Sequence, residues 1–362
     1  MTQTAIPFLF MRGGTSRGPY FNRADLPEDR ETLADVLMAA VGSGHPLNID
    51  GIGGGTAVTT KVAILSKAEG EWADVDYFFA QVSVEDRKVD FKPTCGNILC
   101  GVASAAIEMG LVPARDGATE VKINAVNTGA RVILTVQTEG SAVLYGGETA
   151  IDGVPGTSSP VGVSFMDVAG SATGRMLPTG NPRDIIEGVD VTCMDVAMPV
   201  VIARADAFGK TGYETAAELD DDDVFMQRML AVRLAAGEAM GMGNVTESVT
   251  PKFALLSEPR ADGAVTARYF MPWKCHPSMA VTGAQCIASC ALMSGTVADG
   301  LTRKPNDTPA RFVIEHPSGS IEVLVDYDAD PFVIRSTGLV RSCRKLAAGE
   351  VFVPKAVWGG HP

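Results

Sequence analysis

The sequence predicts an α+β protein built as two similar halves, and three observations carry that expectation. Short apolar runs of period two recur along the chain, two helical stretches consist almost wholly of small apolar residues, and a segment rich in Gly, Pro, Ser and Thr separates one set from the other. Period-two alternation marks half-buried strands, a helix that is apolar all round is buried, and a turn-rich stretch is where a chain changes domain. A single core seldom grows to enclose 362 residues, so two domains of roughly 150 to 200 residues are the natural expectation.

In the first half, residues 8–11, 61–65, 75–84, 121–125, 131–136 and 142–145 read as strands. A helix is expected over 30–41, with Leu33, Val36, Leu37 and Ala40 on one face, and a second, buried one over 97–109. Between Gly147 and Asp190 the chain runs through GVPGTSSPVG and LPTGNPRD, which places the boundary there: domains of 1–184 and 185–362. The second half repeats the mixture, with strands at 200–203, 253–256 and 265–270, helices over 223–240 and 283–293, and strands to the end. Each half thus contains a small-residue helix entered from a polar loop, TCGN in the first and HPSMAVTG in the second. Direct identity between the halves is weak, and the duplication rests on this shared pattern.

With 43 acidic against 30 basic residues the chain carries a formal charge of −13. A negative surface with no local Lys/Arg cluster argues against nucleic acid and anionic membranes as partners. The opening MTQTAIPFLFMRGG has no basic stretch ahead of its short apolar run, so neither export nor membrane insertion is expected. Seven cysteines without a C-x-x-C pair suggest neither a disulfide framework nor a zinc finger, and the reading is a reducing cytoplasm. The four histidines lack metal-ligand spacing, and the acidic run 220–223 opens a helical pattern, where carboxylates meet the helix dipole favourably; no metal is expected.

Candidate chemistry gathers at a few points. Cys95-Gly96-Asn97 stands at the entry to the first buried helix, where free N–H groups favour a bound carboxylate or negative charge on the thiol. Taken alone, a C-G-N string is more often a buried cysteine before a turn. A second helix entry, Lys274 to Gly283, carries His276, Ser278 and Thr282; alone it reads as a capped helix with an incidental histidine. Two Gly-rich loops, 11–18 and 51–61, run into extended segments, not helices, so neither is a nucleotide-binding loop, yet both offer N–H groups and hydroxyls suited to a small polyanion. Lys61 precedes the apolar run VAIL, where an amine entering a core would be partly desolvated and favoured as a base; taken alone, it reads more often as a solvated strand-end lysine.

Together these strings resemble one family. MRGGTSRGPYF, IDGIGGGTAVTTKVAI, CGNILCGV, TGN, MPVV, VTPK and HPSMAVTGA occur in the order seen in PrpF-like isomerases, from about Pro7 to Trp358. ADVDYFFAQV, IDGVPG, VTCMD, KTGYE, IEHPSGS and the closing VWGG resemble its 4-oxalomesaconate tautomerase branch. The resemblance implies a diaminopimelate epimerase-like fold, two similar halves each wrapping strands round a central helix, with the active site in the cleft between them and no cofactor.

Carried over by position, the resemblance makes Lys61 the catalytic base and Cys95 the catalytic or site-shaping thiol. From their own chemistry, as N–H donors, hydroxyls and cations able to hold carboxylates, Arg12, Thr15, Ser16, Gly96, Asn97, Arg268, His276, Ser278 and Met279 are expected as substrate contacts. The sequence departs from the family pattern at Arg17, Gly55 and Thr94. The implied activity is a cofactor-independent 1,3-allylic isomerisation of an unsaturated tricarboxylate, 4-oxalomesaconate first, as in protocatechuate or gallate type aromatic degradation. The alternatives are a 2-methylaconitate, aconitate or methylitaconate isomerase of the same family, a cysteine-dependent epimerase, and a non-catalytic carboxylate-binding protein. The expected partner is a small di- or tricarboxylate, with homodimerisation left open.

Overall fold

The computed structural model describes residues 2–361, which form two compact units, Met1–Ser164 with Val340–Pro362 and Phe165–Leu339. The first unit contains β1 (Gln3–Gly13), β2 (Ser16–Asn22), α1 (Arg30–Val41), β3 (Lys61–Lys67), β4 (Val75–Val82), β5 (Val89–Asp90), α2 (Gly96–Leu99), α3 (Val102–Glu108), β6 (Gly117–Ala125), β7 (Ala130–Glu139), β8 (Ala142–Val143) and β9 (Pro160–Met166). Its strands pair β1–β2 antiparallel, β2–β3 parallel, β3–β4 antiparallel, β4–β6 parallel and β6–β7 antiparallel.

Helix α1 covers one face of this sheet. The Asp29 side chain accepts from the Thr32 amide at 2.8 Å and caps its start, and Gly42, at φ 83°, ends it in the left-handed conformation that glycine adopts most readily. Its buried Leu33, Val36, Leu37 and Ala40 pack on Val62, Ile64, Ala80 and Val82. Residues of the opposite parity, Lys61, Ala63 and Leu65 on β3 with Tyr77 and Phe79 on β4, therefore face the α2–α3 side.

The second unit runs β10 (Asp184–Ile186), β11 (Val189–Asp195), β12 (Pro199–Arg204), α4 (Ala216–Asp220), α5 (Asp223–Ala239), β13 (Lys252–Ser257), β14 (Val265–Phe270), α6 (Val281–Leu292), β15 (Ala310–His316), β16 (Gly319–Ala329) and the start of β17 (Phe332–Pro354). Its pairings repeat the first unit's in order: β11–β12 antiparallel, β12–β13 parallel, β13–β14 antiparallel, β14–β15 parallel and β15–β16 antiparallel. Helix α5 packs on Val201, Ala203, Phe253, Leu255 and Phe270; α6 packs on the other face, against Val200, Ile202, Ala254, Leu256, Ala267 and Tyr269. Every residue of α6 from Gly283 to Leu292 is buried, as a helix enclosed by strands requires. The α+β architecture of two similar halves is the one the sequence predicts.

Three features differ from expectation. The division falls after Ser164, not 184, and residues from Val340 return to the first unit, because β17 pairs along β1 from Gly13↔Cys343 to Gln3↔Pro354. Strand partners of this kind are non-local and leave no mark in the local pattern. The helix expected over 97–109 is broken: Cys100 and Gly101 donate three residues back, to the carbonyls of Asn97 and Ile98, and the chain restarts as α3. Gly101 also sits where a Cβ would lie 2.5 Å from the Tyr20 hydroxyl oxygen, so only glycine fits under this turn. Strand β2 is the extended segment expected after the 11–18 loop, whereas β9 and β11 form within and just after the stretch 147–190, where only a boundary is expected. No helix among the described residues is long and apolar enough to cross a membrane.

Candidate active site

The first residue of β3, Lys61, stands opposite Gln81 of β4, and its Nζ donates to Gln81 Oε1 at 3.0 Å while lying 5.3 Å from the centre of the Phe79 ring. The Gln81 amide nitrogen is held by the carbonyls of Ala57 and Val82 and the Thr60 hydroxyl, which fixes the oxygen toward the lysine. No carboxylate among the described residues pairs with Lys61. A neutral amide thus orients the Lys61 amino group without an ion pair.

On the same face the Tyr77 ring lies 6.5 Å from Phe79, and its hydroxyl donates to the Cys95 carbonyl at 3.3 Å. Cys95 occupies the N-cap of α2 and is the one of the seven cysteines that is not buried. Cys100 is a contrast: its thiol donates to the Gly96 carbonyl at 2.9 Å, and burial pushes its pKa up to about 12. The amides of Gly96, Asn97 and Ile98 have no acceptor among the described residues, since the first bond of this turn is Leu99 N–H to the Cys95 carbonyl. With α2 only four residues long, these amides act as individual donors and not through an extended dipole.

The β1–β2 turn is clasped to this helix start. Asn97 Nδ2 donates to Thr15 Oγ1 at 3.0 Å, and Asn97 Oδ1 accepts from the Thr15 amide at 3.4 Å. Gly14, at φ 52°, passes so close that a Cβ there would lie 2.2 Å from Asn97 Oδ1. Arg12 holds the turn from behind: its terminal nitrogens donate to the carbonyls of Gly14 and Ser342 and to the hydroxyls of Ser158 and Ser342. Ser16 is buried and its hydroxyl has no partner among the described residues. The structure thus brings Arg12, Thr15, Ser16, Lys61, Cys95, Gly96 and Asn97 into one unit, with Arg12 bracing the loop.

In the second unit, the segment before α6 is shaped by its own bonds. His276 Nδ1 accepts from the Ser278 amide at 2.9 Å, and its amide donates to the Tyr269 carbonyl at 2.7 Å. Burial lowers the His276 pKa below the ordinary 6.5; the bond from Ser278 opposes that shift, and the charge of Lys252 adds to it. Met279 is buried against the core. Ala280 caps α6 without a side-chain bond, and the amides of Val281, Thr282 and Gly283 have no acceptor among the described residues.

Arg268 acts on Cys275 of this loop by its charge but faces away from α6. It shares the strand face of Phe270, on the α5 side, whereas Tyr269 faces α6. Its guanidinium donates to the carbonyls of Glu214 and Ala267 and lines a separate cavity with Tyr213, Arg260 and Glu315. The acidic run 220–223 is structural: Asp222 caps α5, and Asp220 accepts from the Cys275 amide at 2.6 Å, tying down the loop before His276.

A family model described as PrpF protein matches residues 3–354. The chain belongs to the PrpF family. Within it, the chain is 46% identical over 360 residues to the 4-oxalomesaconate tautomerase of Pseudomonas putida, covering 99% of each protein. It is 44% identical over 349 residues to the (4E)-oxalomesaconate Delta-isomerase of Novosphingobium sp., covering 96% of this chain and 98% of that one. The solved structure of a methylitaconate-delta-isomerase superposes with a TM-score of 0.89 at 32% identity, over 99% of this chain and 97% of that one.

Within this PrpF chain, two residues escaped the sequence reading. Gln81, the hydrogen-bond partner of Lys61, could have been found from strand register alone: β3 and β4 are joined by a short connection, and Lys61 and Gln81 stand at their open ends. The other is Lys252, the first residue of β13, whose signal is a repeat: KVAILS at 61–66 and KFALLS at 252–257 share four of six residues.

Proposed function

We propose that this PrpF-family chain is a cofactor-independent 1,3-allylic isomerase that moves a carbon–carbon double bond within an unsaturated di- or tricarboxylate, with 4-oxalomesaconate as its substrate. The observation that carries the reading is Lys61: a half-buried lysine held by a neutral amide, on the strand face of Tyr77, whose hydroxyl donates to the carbonyl of Cys95, the one accessible cysteine. In its amine form Lys61 takes the proton from carbon activated by the adjacent alkene and carbonyl. The resulting dienolate is reprotonated at the far end of the allyl system. The free amides of Gly96, Asn97 and Ile98 are placed to bind a carboxylate of such a substrate, with Thr15 and Ser16 beside them. Cys95 lends its thiol as the opposing acid or as a shaping group. His276 and Ser278 are substrate contacts in this reading, whereas Met279, buried against the core, and Arg12 and Arg268 have structural roles.

The names of the two relatives above support the oxalomesaconate substrate, and the methylitaconate enzyme supports the dicarboxylate alternative. A side-by-side comparison of kcat/KM decides between them. Loss of a carboxylate that the site is built to bind costs roughly 2 to 4 kcal/mol, so 4-oxalomesaconate should exceed methylitaconate by about 30-fold or more. Faster turnover of methylitaconate, 2-methylaconitate or aconitate overturns the substrate and leaves the allylic chemistry standing.

A further inference from the structure

Lys61 has a counterpart in the second unit. Both units have the same order of pairings, and β3 and β13 occupy the same place in it: each runs parallel to the strand before it and antiparallel to the strand after it. Lys61 is the first residue of β3 and Lys252 the first of β13. Registers agree as well, with Ala63 beside Tyr20 and opposite Phe79, and Ala254 beside Ile202 and opposite Tyr269. Strand parity sets Lys252 with Ala254 and Leu256 on the α6 face, as Lys61 is set on the face of α2 and α3. Because Phe253 pairs with Phe270, Lys252 stands at the start of the 271–276 loop, which folds back through the Phe270↔Cys275 bridge and carries His276.

Lys252 has been given no hydrogen-bonding role by the fold. Its side chain makes no hydrogen bond or ion pair with any described residue, although Lys252 is only partly exposed. The residues just before it are fixed by Arg233, which is fully buried and donates to the carbonyls of Pro251, Thr250, Ser248 and Val245. Burial and the Arg233 charge both lower the Lys252 pKa. A half-buried ammonium beside a second cation, with no counter-charge, is unfavourable until an anion arrives.

We propose that Lys252 is a substrate-binding residue, the second-unit equivalent of Lys61 in position but not in chemistry, whose ammonium pairs with one carboxylate of the substrate at the His276 loop. This rests on the assignment of that loop to substrate binding. The equivalent of Cys95 at the cap of α6 is Ala280, so no proton-transferring thiol accompanies Lys252. Its charge fixes which carboxylates are accepted.

Calorimetric titration of the full-length protein with tricarballylate, a saturated tricarboxylate that cannot be isomerised, tests this directly. Removing a charge-assisted hydrogen bond costs roughly 10- to 100-fold in affinity, so K252M should raise the Kd by that factor and K252R should recover most of it. In turnover, K252M should raise KM more than it lowers kcat. Should K252M fail to fold by circular dichroism, K252Q is compared with K252R in the same titration. Unchanged affinity in the neutral variant, or a wild-type protein that does not bind tricarballylate at millimolar concentration, overturns the proposal. If the wild type isomerises none of the unsaturated carboxylates yet its tricarballylate binding depends on Lys252, the isomerase reading fails and this one stands.

Discussion

The two units share one order of strands but differ where their helices begin. In the first, a short α2 capped by the accessible Cys95 is broken from α3 at Gly101; in the second, α6 runs unbroken for twelve residues from an Ala280 cap. The lysine at the strand end is present in both, the thiol in one. The two units therefore share a lysine at the same strand end, while only the first has an accessible thiol at its helix cap. That asymmetry fits a reaction needing one base, and it is unlike a two-thiol epimerisation.

The largest effect that would break this comparison comes from Lys61. Lys61→Met keeps side-chain length and removes the amine, and acid–base catalysis is worth about 10²- to 10⁴-fold, so kcat should fall by at least that much. A kcat near wild type would transfer the base to another group. Cys95 should matter less: Cys95→Ser is expected to retain turnover within about 100-fold of wild type, and a loss as deep as that of Lys61→Met would make the thiol an obligatory proton donor.

Next in size are two glycines at comparable close approaches. A Cβ on Gly18 would lie 1.7 Å from the Lys61 carbonyl oxygen, and one on Gly283 would lie 2.3 Å from the Tyr269 ring. Overpacking costs typically about 1 to 3 kcal/mol. For Gly283→Ala, the helix propensity gained inside α6, roughly 1 kcal/mol, offsets part of this. Gly18→Ala has no such compensation and displaces the backbone of Lys61 itself. Denaturant titration should therefore rank Gly18→Ala as the less stable, and it alone should also lower kcat; equal losses in both would show that the Lys61 carbonyl yields easily.

The smallest effect is a pH dependence at His276. Its pKa is lower in the folded protein than in the unfolded chain, so the unfolded chain binds more protons in the interval between the two values. The contribution is present above the unfolded value and is lost as pH falls through the folded one. Thermal melts should show wild type losing more Tm than His276→Gln between about pH 7 and about pH 5. Parallel curves would remove the histidine from the loop's stability.

How far the sequence could be read follows the range of the forces involved. Helix α1 and strand β14 form over the expected residues because capping, alternation and 3.6-residue periodicity are local. Lys61 and Cys95 are weak signals among their own neighbours and stand out only through the ordered set of strings that resembles the PrpF family. The return of β17 to β1 was illegible, since pairing across more than 300 residues depends on no local pattern. Arg268 has the charge an anion site needs, yet its place next to Tyr269 in the strand sets it on the opposite face from α6. Lys252 was legible in the KFALLS repeat but hidden by comparing the halves through their helices, whose caps have diverged.

Proton exchange at the substrate tests the central claim most directly. Wild-type protein and Lys61→Met are incubated with 4-oxalomesaconate in D₂O, and deuterium at the allylic carbons is followed by NMR against an enzyme-free control. The account predicts incorporation during isomerisation by the wild type, and none above the control in Lys61→Met even though that variant still binds tricarballylate. Incorporation by Lys61→Met at the wild-type rate would contradict it.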